Sequence, residues 1–397
     1  MRIVDVCAFY TPAGGGVRTY VEAKLKAAPR FGHELIVLAP GARAEVIELR
    51  PGAIVATIPS PHLPVDRRYR YFNDERGLHR ALNQWCPDHV EASSPWSSAT
   101  MVGRWQGTAS RSLVMHADPL AAYAYRWLGG VASRATIDRW FGRWWRHLRG
   151  LDWMFDVVVS ANDDLTYRLR DGGLSKAETV RMGVEPGVFS PACRSESLRR
   201  RLLASLGLDP SGILLVGIGR MSAEKRWEMV VRAAHQAARD LPVGLLLVGD
   251  GPRRPRIEKL AAASRAAAVH RPIADRGRLA ELIASADALV HGCEAETFCM
   301  VAAEARASGV PLIVPDRGAA RDQLVSGAGG QYCAAHTRSL ASMIGQFALN
   351  GPELQRARAA QHCRVRTIDE HFEELFGRYA SLTGLGEIAL PQAAAAV

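Results

Sequence analysis

At 397 residues the chain is too long for one ordinary hydrophobic core and fits two or three domains. A hydrophobic content of 48% with 23% charged residues excludes a disordered polypeptide, and no run approaches the roughly 18 apolar residues of a membrane-spanning helix. The net charge of +10 calls for an anionic partner, whether nucleotide, nucleic acid or acidic membrane surface.

The cysteines (Cys7, Cys86, Cys193, Cys293, Cys299, Cys333 and Cys363) are scattered and form no C-x-x-C pair or Cys/His ligand cluster. That pattern predicts a reducing cytoplasm, with no disulfides and no metal site. The N-terminus reads as a strand from its second residue and lacks the apolar core of a signal peptide.

In chain order, Ile3 to Phe9 reads as a first strand that runs into Thr11-Pro12-Ala13-Gly14-Gly15-Gly16-Val17-Arg18, with a helix from Thr19 to Ala28. Three consecutive glycines between strand and helix let an anion or sugar approach the backbone of Gly15 and Gly16, with Arg18 one helical step in. A tight structural turn is the plain alternative. Leu35 to Ala39 is a second strand, and residues 41 to 75 are expected to be a long irregular loop marked by Pro59-Ser60-Pro61 and Arg67-Arg68-Tyr69-Arg70-Tyr71. Strands follow at Asp88 to Ala92 and Leu113 to His116. His116 stands at a strand's carboxyl end, with Asp118 two residues on.

Residues 123 to 150 have the most unusual composition: Trp127, Trp140, Trp144 and Trp145 among Arg126, Arg134, Arg139, Arg143, Arg146 and Arg149. On one helix, Ile137, Trp140, Phe141, Trp144, Trp145 and Leu148 share a side, and the arginines take the other flank. Two readings stay open. The first is an interfacial helix, with Trp140, Arg143, Trp144 and Arg146 at an anionic membrane. The second is a helix packing its Trp stripe on its own domain. A nucleic-acid partner is not expected, because no nucleic-acid module accompanies the patch.

A buried strand spans Asp156 to Ser160, and Ser195 to Gly207 is a charged helix. Ile213 to Ile218 opens a second domain and feeds Gly219-Arg220-Met221-Ser222-Ala223-Glu224-Lys225, where Ser222 is an N-cap candidate. Leu245 to Gly249, a basic helix with Arg253, Arg254, Arg256 and Lys259, and a helix from Leu279 to Ala284 come next. A strand–turn–helix–strand unit then runs ALVHGCEAETFCMVAAEARASGVPLIV: strand Ala288 to Val290, polar turn His291 to Thr297, helix Phe298 to Ser308, C′ glycine Gly309, strand Leu312 to Val314. Residues 365 to 381 form a last amphipathic helix.

The turn of that unit enters a helix at the carboxyl end of a strand, where ligands bind in parallel α/β sheets. Helix N-terminal amides around Phe298 and Cys299 suit an anion. Glu304 lies eight residues beyond Glu296, which on a helix spans roughly 9–12 Å, about a nucleotide's diphosphate-to-ribose distance. The spacing therefore fits a nucleotide-sugar, with phosphates at the helix start, ribose near Glu304 and sugar near Glu296. Capping and solvation would explain Glu294 equally well.

The segment ETFCMVAAEARASGVP, with Glu296, Phe298, Glu304, Ala305, Gly309 and Pro311, resembles the signature of retaining GT-B glycosyltransferases of family 4. The resemblance implies an α/β fold of two doubly wound Rossmann-like domains facing across a cleft. It divides the chain into an acceptor domain, 1–188, rejoined by a C-terminal helix 365–383; a donor domain, 189–364; and a tail, 384–397. It makes Arg220 and Lys225 the cations of a diphosphate-gripping turn and puts Ile273 at the base. Thr297, Phe298 and Cys299 then fall at the phosphates, and His116 meets the donor sugar, with Arg18 and Asp118 toward the acceptor. VRMGVEPGVFSP departs mildly from the family, with Met182 where Asn and Glu185 where Asp are common. The implied reaction transfers a hexose from a UDP- or GDP-sugar with retention, without metal or cofactor, the nucleotide-sugar being a substrate. The implied setting is the cytoplasm, or the inner face of a membrane, with a lipid or lipid-linked glycan as acceptor. A soluble sugar or metabolite acceptor, an epimerase on the same fold, and a non-catalytic nucleotide-sugar binder are the alternatives.

Overall fold

A computed structural model describes residues 1–11, 16–64, 66–116, 118, 120, 124–128, 131–264 and 266–384. The chain forms two compact units. The first takes Met1–Ala117, Ala132–Arg181 and the chain from Ile368; the second takes Asp118–Val131 and Met182–Thr367.

In the first unit, β1 (Arg2–Cys7), β2 (Glu34–Gly41), β3 (Glu45–Arg50) and β4 (Ala53–Pro59) are followed by a small hairpin of β5 (His62–Leu63) and β6 (Asp66–Arg70). β7 (His89–Ser93), β8 (Ser110–Met115), β9 (Val157–Ser160) and β10 (Ala177–Thr179) complete an eight-stranded sheet of order β10-β9-β8-β7-β1-β2-β4-β3. Only β3 is antiparallel. The inner strands are near-continuous apolar runs because helices cover both faces of a parallel sheet. Order reverses at β1, which lies between β7 and β2 and so creates a switch point at the ends of β1 and β7.

The second unit holds six parallel strands: β11 (Ile213–Ile218), β12 (Val243–Val248), β13 (Ala267–His270), β14 (Ala288–Val290), β15 (Leu312–Pro315) and β16 (Gly329–Tyr332). Their order is β13-β12-β11-β14-β15-β16. The core gathers Leu215, Trp227, Val230, Leu245, Val290, Ile344 and Phe347. The switch point falls between β11 and β14, so the segments after Ile218 and after Val290 leave the sheet side by side.

Three expectations need correction. Residues 41 to 75 are not one irregular loop. β4 pairs parallel with β2, the turn Pro51-Gly52 reverses the chain with Gly52 at φ +76°, and β3 pairs antiparallel with β4. β3 hides from sequence patterning because all six of its residues are exposed, leaving no apolar alternation to read. The Trp-rich helix is two helices, Arg134–Trp140 and Gly142–Met154, broken at Phe141. The helix expected from Phe298 starts at Met300, after Cys299 takes a left-handed conformation at φ +62°.

Candidate active site

The site of the second unit is built at its switch point. After β11 the chain passes Gly219 and Arg220, makes a short helical turn at Ala223–Lys225, and enters the helix Trp227–Ala237 through Arg226 at φ +52°. Gly249, at the end of β12, can only be glycine here: a Cβ would stand 2.0 Å from the Gly219 carbonyl oxygen. After β14 the chain passes His291 to Cys299 and enters the helix Met300–Ala307. Both helices begin at a left-handed, non-glycine residue, and neither start carries a side-chain cap hydrogen bond. Left-handed backbone costs a non-glycine residue energy, and such strain clusters at functional sites.

Two ion pairs join the segments. Lys225 pairs with Glu296 Oε1, and His291 Nε2 lies 3.3 Å from the same oxygen. The Lys225 and Glu296 side chains are 19% and 21% exposed, so the pair is shielded yet reachable. Burial works against charge on both. For Glu296 the nearby Lys225 ammonium and His291 outweigh it and hold the carboxyl well below the ordinary range. Lys225 is held above its usual value, chiefly by Glu296. Arg226 grips Glu294 with two nitrogens, Nε at 2.9 Å from Oε2, which makes Glu294 a structural partner. The loop after β15 closes against this turn at Gly318 (φ +82°), where a Cβ would stand 2.3 Å from the Glu294 carbonyl oxygen.

Glu304, on the helix Met300–Ala307 and eight residues beyond Glu296 in the turn before it, is buried. Arg276 Nη2 donates to Glu304 Oε1 at 2.7 Å, Arg276 Nε reaches Glu185 at 3.3 Å, and the guanidinium lies 4.8 Å over the Phe189 ring. Burial pushes the Glu304 carboxyl up, with Arg276 opposing.

The other expected residues divide. Arg220 is exposed and reaches Glu224 at 3.4 Å. Ser222 takes the N-cap position of the turn Ala223–Lys225, but its side chain does not cap it: the hydroxyl donates to Glu224 instead. Thr297 is half-buried, Phe298 and Cys299 are buried, and Ile273 is half-buried in the segment after β13. Ligand atoms of His291, Glu296 and Cys299 lie within 4.8 Å of one another. Lys225 is already the cation against Glu296, and burial pushes the Cys299 thiol well up, so the trio suits a metal poorly.

In the first unit, Gly16 opens the helix Gly16–Arg30, and Gly15 lies outside the described residues. Arg18 pairs with Glu22 at 2.7 Å. Asp118, which belongs to the second unit, is buried, its Oδ1 accepting from the Leu120 amide at 3.1 Å. His116 follows β8, with Nε2 3.2 Å from Ser93 Oγ and its ring 4.9 Å from that of Tyr20. Burial lowers its imidazole to about 4, with Asp5 opposing. The Trp stripe splits. Ile137, Trp145 and Leu148 are core, Trp144 packs on Trp96, and Trp140 is 60% exposed, beside exposed Arg143 and Arg146. Trp140 thus leaves the apolar side assigned to it, although Ile137 on the same helix is buried. The expected tail lies, from residue 385 on, outside the described residues.

Sequence reasoning missed Arg226, Arg276 and His291. A polar residue just before a helix without an N-cap type was a signal for Arg226; none marked Arg276 as the partner of Glu304.

Residues 199–362 match the family described as Glycosyl transferases group 1. The chain is 30% identical over 331 residues to the GDP-mannose-dependent alpha-mannosyltransferase of Mycolicibacterium smegmatis, covering 81% of each chain. It belongs to the glycosyl transferases group 1 family. Another relative of this glycosyltransferase is the GDP-mannose-dependent alpha-(1-6)-phosphatidylinositol dimannoside mannosyltransferase of Mycobacterium tuberculosis, 29% identical over 91% of each chain. Among solved structures, sucrose-phosphate synthase from Thermosynechococcus elongatus superposes with a TM-score of 0.72 at 19% identity, covering 97% of this chain and 100% of that one. That likeness is one of fold, the GT-B fold of glycosyltransferases. The family match contains Lys225, Glu296 and Glu304; His116 lies outside it.

Proposed function

We propose that this retaining glycosyltransferase moves mannose from GDP-mannose to a lipid-linked acceptor at an anionic membrane surface. The observation that carries the reading is Lys225, a shielded ammonium held against Glu296 beside two helix starts that bear no side-chain caps. Cations and helix N-termini together favour a diphosphate. The donor's name comes from the relatives: both mannosyltransferases named above are called GDP-mannose-dependent.

In this mechanism the anomeric C–O bond breaks through an oxocarbenium-like state and negative charge builds on the departing diphosphate. Lys225, Arg220 and the amides at Phe298 and Cys299 stabilise that charge, as preorganised electrostatics requires. Glu296 accepts from sugar hydroxyls while keeping Lys225 protonated. Glu304, with Oε1 held by Arg276, accepts from the ribose diol. Thr297 and Ile273 border the nucleotide, and Gly15 and Gly16 leave room for backbone approach. His116 acts on the reacting sugar, and Arg18 and Asp118 serve the acceptor.

No helix among the described residues is long and apolar enough to cross a membrane. Exposed Trp140 and Trp153 with Arg143 and Arg146 support a peripheral attachment. The buried Trp145 supports a core role for the rest of the stripe.

The test supplies labelled GDP-mannose with vesicles containing phosphatidylinositol mannosides. Label should pass into the solvent-extractable lipid. Label recovered only as free mannose, or equal transfer from a UDP-sugar, would overturn the assignment.

A further inference from the structure

The reaction described above makes no use of His291, the residue that follows β14 directly. Its backbone is pinned on both sides. The amide donates to the Ile313 carbonyl of β15 at 2.9 Å, and the carbonyl accepts from the Tyr332 hydroxyl of β16 at 2.8 Å. The imidazole is wholly buried and stands perpendicular to the Trp227 ring, 6.3 Å between centroids. Trp227 is itself fixed, its Nε1–H donating to the Arg220 carbonyl at 3.0 Å. Yet neither nitrogen of this firmly held ring makes a hydrogen bond among the described residues. Nε2 stands 3.3 Å from Glu296 Oε1 but off the line of a hydrogen bond, and it is Lys225 Nζ that bonds that oxygen. All of these residues belong to the second unit.

A buried polar atom without a partner is costly, and few persist in a folded chain. Burial opposes charge on Glu296, but Lys225 and His291 outweigh it and keep the carboxyl ionised. An ionised carboxylate only accepts, so Nε2 can serve Oε1 only as an N–H. Burial holds the imidazole below its ordinary value, with Glu296 opposing, which leaves a neutral ring with a single N–H. Two donors thus face one oxygen, and only one is bonded to it. They differ in freedom. Lys225 hangs on a flexible stem and keeps some exposed surface, whereas His291 has none. A diphosphate at the two helix starts competes for the ammonium and not for the imidazole. Once the ammonium turns to phosphate, Oε1 loses its donor in a shielded place, and that loss is costly. A small rotation of the carboxylate aligns Oε1 with Nε2–H and replaces the bond.

We propose that His291 is a positioning residue that takes over Glu296 Oε1 from Lys225 when Lys225 engages the diphosphate, so that the carboxylate changes partners without leaving its place. The proposal rests on the reading of Lys225 as the diphosphate's cation. It explains why Nε2 lies close to Oε1 yet unbonded while Lys225 holds that oxygen. No proton changes hands: Lys225 stays an ammonium and Glu296 a carboxylate throughout.

The test is 1H–15N correlation spectroscopy on the full chain with 15N-labelled histidine, the His291 signal being assigned from His291→Gln. A protonated Nε2 is expected. Its proton should lie further downfield in Lys225→Met, where Oε1 has lost its first partner, than in the wild type, and saturating GDP should move the wild-type signal the same way. An unprotonated Nε2, a proton unmoved in Lys225→Met, or one unmoved by GDP that calorimetry shows to be bound would each overturn the proposal. Failure of GDP to bind would instead remove the underlying reading of Lys225, while the Lys225→Met spectrum still decides whether the two side chains compete for Oε1. In kinetics, His291→Leu should lower kcat about 10- to 100-fold, the worth of a hydrogen bond to a charged group, with KM for GDP-mannose and the melting temperature little changed. His291→Gln, whose amide presents an N–H, should recover most of that loss. A lowered melting temperature with full kcat in His291→Leu would reduce His291 to a packing residue. If His291→Leu fails to fold, the two spectral comparisons decide.

Discussion

The two switch points use the same ingredients to opposite ends. Each sets a lysine against a glutamate where strand order reverses. In the first unit Lys24 is wholly buried and shared between Asp5 and Glu91, with Ser93 and Tyr379 taking further carboxylate oxygens. In the second unit Lys225 and Glu296 keep about a fifth of their side-chain surface, and the adjoining helix starts bear no side-chain caps. A sealed, fully bonded cluster cannot exchange partners, so it can only hold shape. A shielded but reachable pair can trade one partner for a ligand. Burial and satisfaction therefore separate scaffold from site where residue type does not.

The largest effect should come from the sealed cluster. Lys24→Met leaves two carboxylates buried without their cation and should cost about 3–5 kcal/mol of stability, read from denaturant unfolding. A loss under 1 kcal/mol would erase the contrast. Lys225→Ala should leave the melting curve nearly unchanged while kcat falls by about 10²–10³-fold, the scale of a lost charge stabiliser. Near-normal turnover would return Lys225 to the scaffold. Glu304→Ala should weaken nucleotide binding by about 1.5–3 kcal/mol, as expected for a hydrogen bond to a charged group. Calorimetry with GDP and 2′-deoxy-GDP reads it, and the variant should bind the two alike.

Acid should discriminate more finely. Glu296 is depressed although burial pushes the other way, because Lys225 and His291 prevail. Its pairing thus contributes stability that is complete above the ordinary carboxylate value of about 4.3 and is lost as pH falls below it toward the depressed one. The stability difference between wild type and Glu296→Gln should stay constant from about pH 7 to 5 and shrink below about pH 4. The smallest effect belongs to Trp140→Ala, with 60% of the residue exposed. Stability should move by less than about 0.5 kcal/mol, while binding to anionic vesicles falls.

What the sequence displayed was local. Lys225 precedes a helix, Glu296 stands in the turn before another and Glu304 on it, and β11 and β14 are short apolar runs, so each could be read within a dozen residues. What stayed hidden was partnership at long range. Arg276 holds Glu304 across 28 positions and Lys24 meets Glu91 across 67, and no period links such pairs. The β3 hairpin was missed for a different reason, because an edge strand exposed on both faces carries no alternation. The break in the Trp helix had a local signal in Gly142, which follows Phe141 directly, since glycine commonly ends a helix.

The Tyr379–Glu91 bond spans 288 positions, and that distance has a consequence for synthesis. Tyr379 and its neighbours Phe372, Leu375 and Phe376 are core residues translated only after the second unit's Met182–Thr367. The nascent first unit therefore waits, its sheet uncovered at one face, while the entire second unit is translated. The first unit is completed only by residues that follow the second, and a stop codon just ahead of Ile368 should yield a folded second unit joined to an aggregation-prone first one.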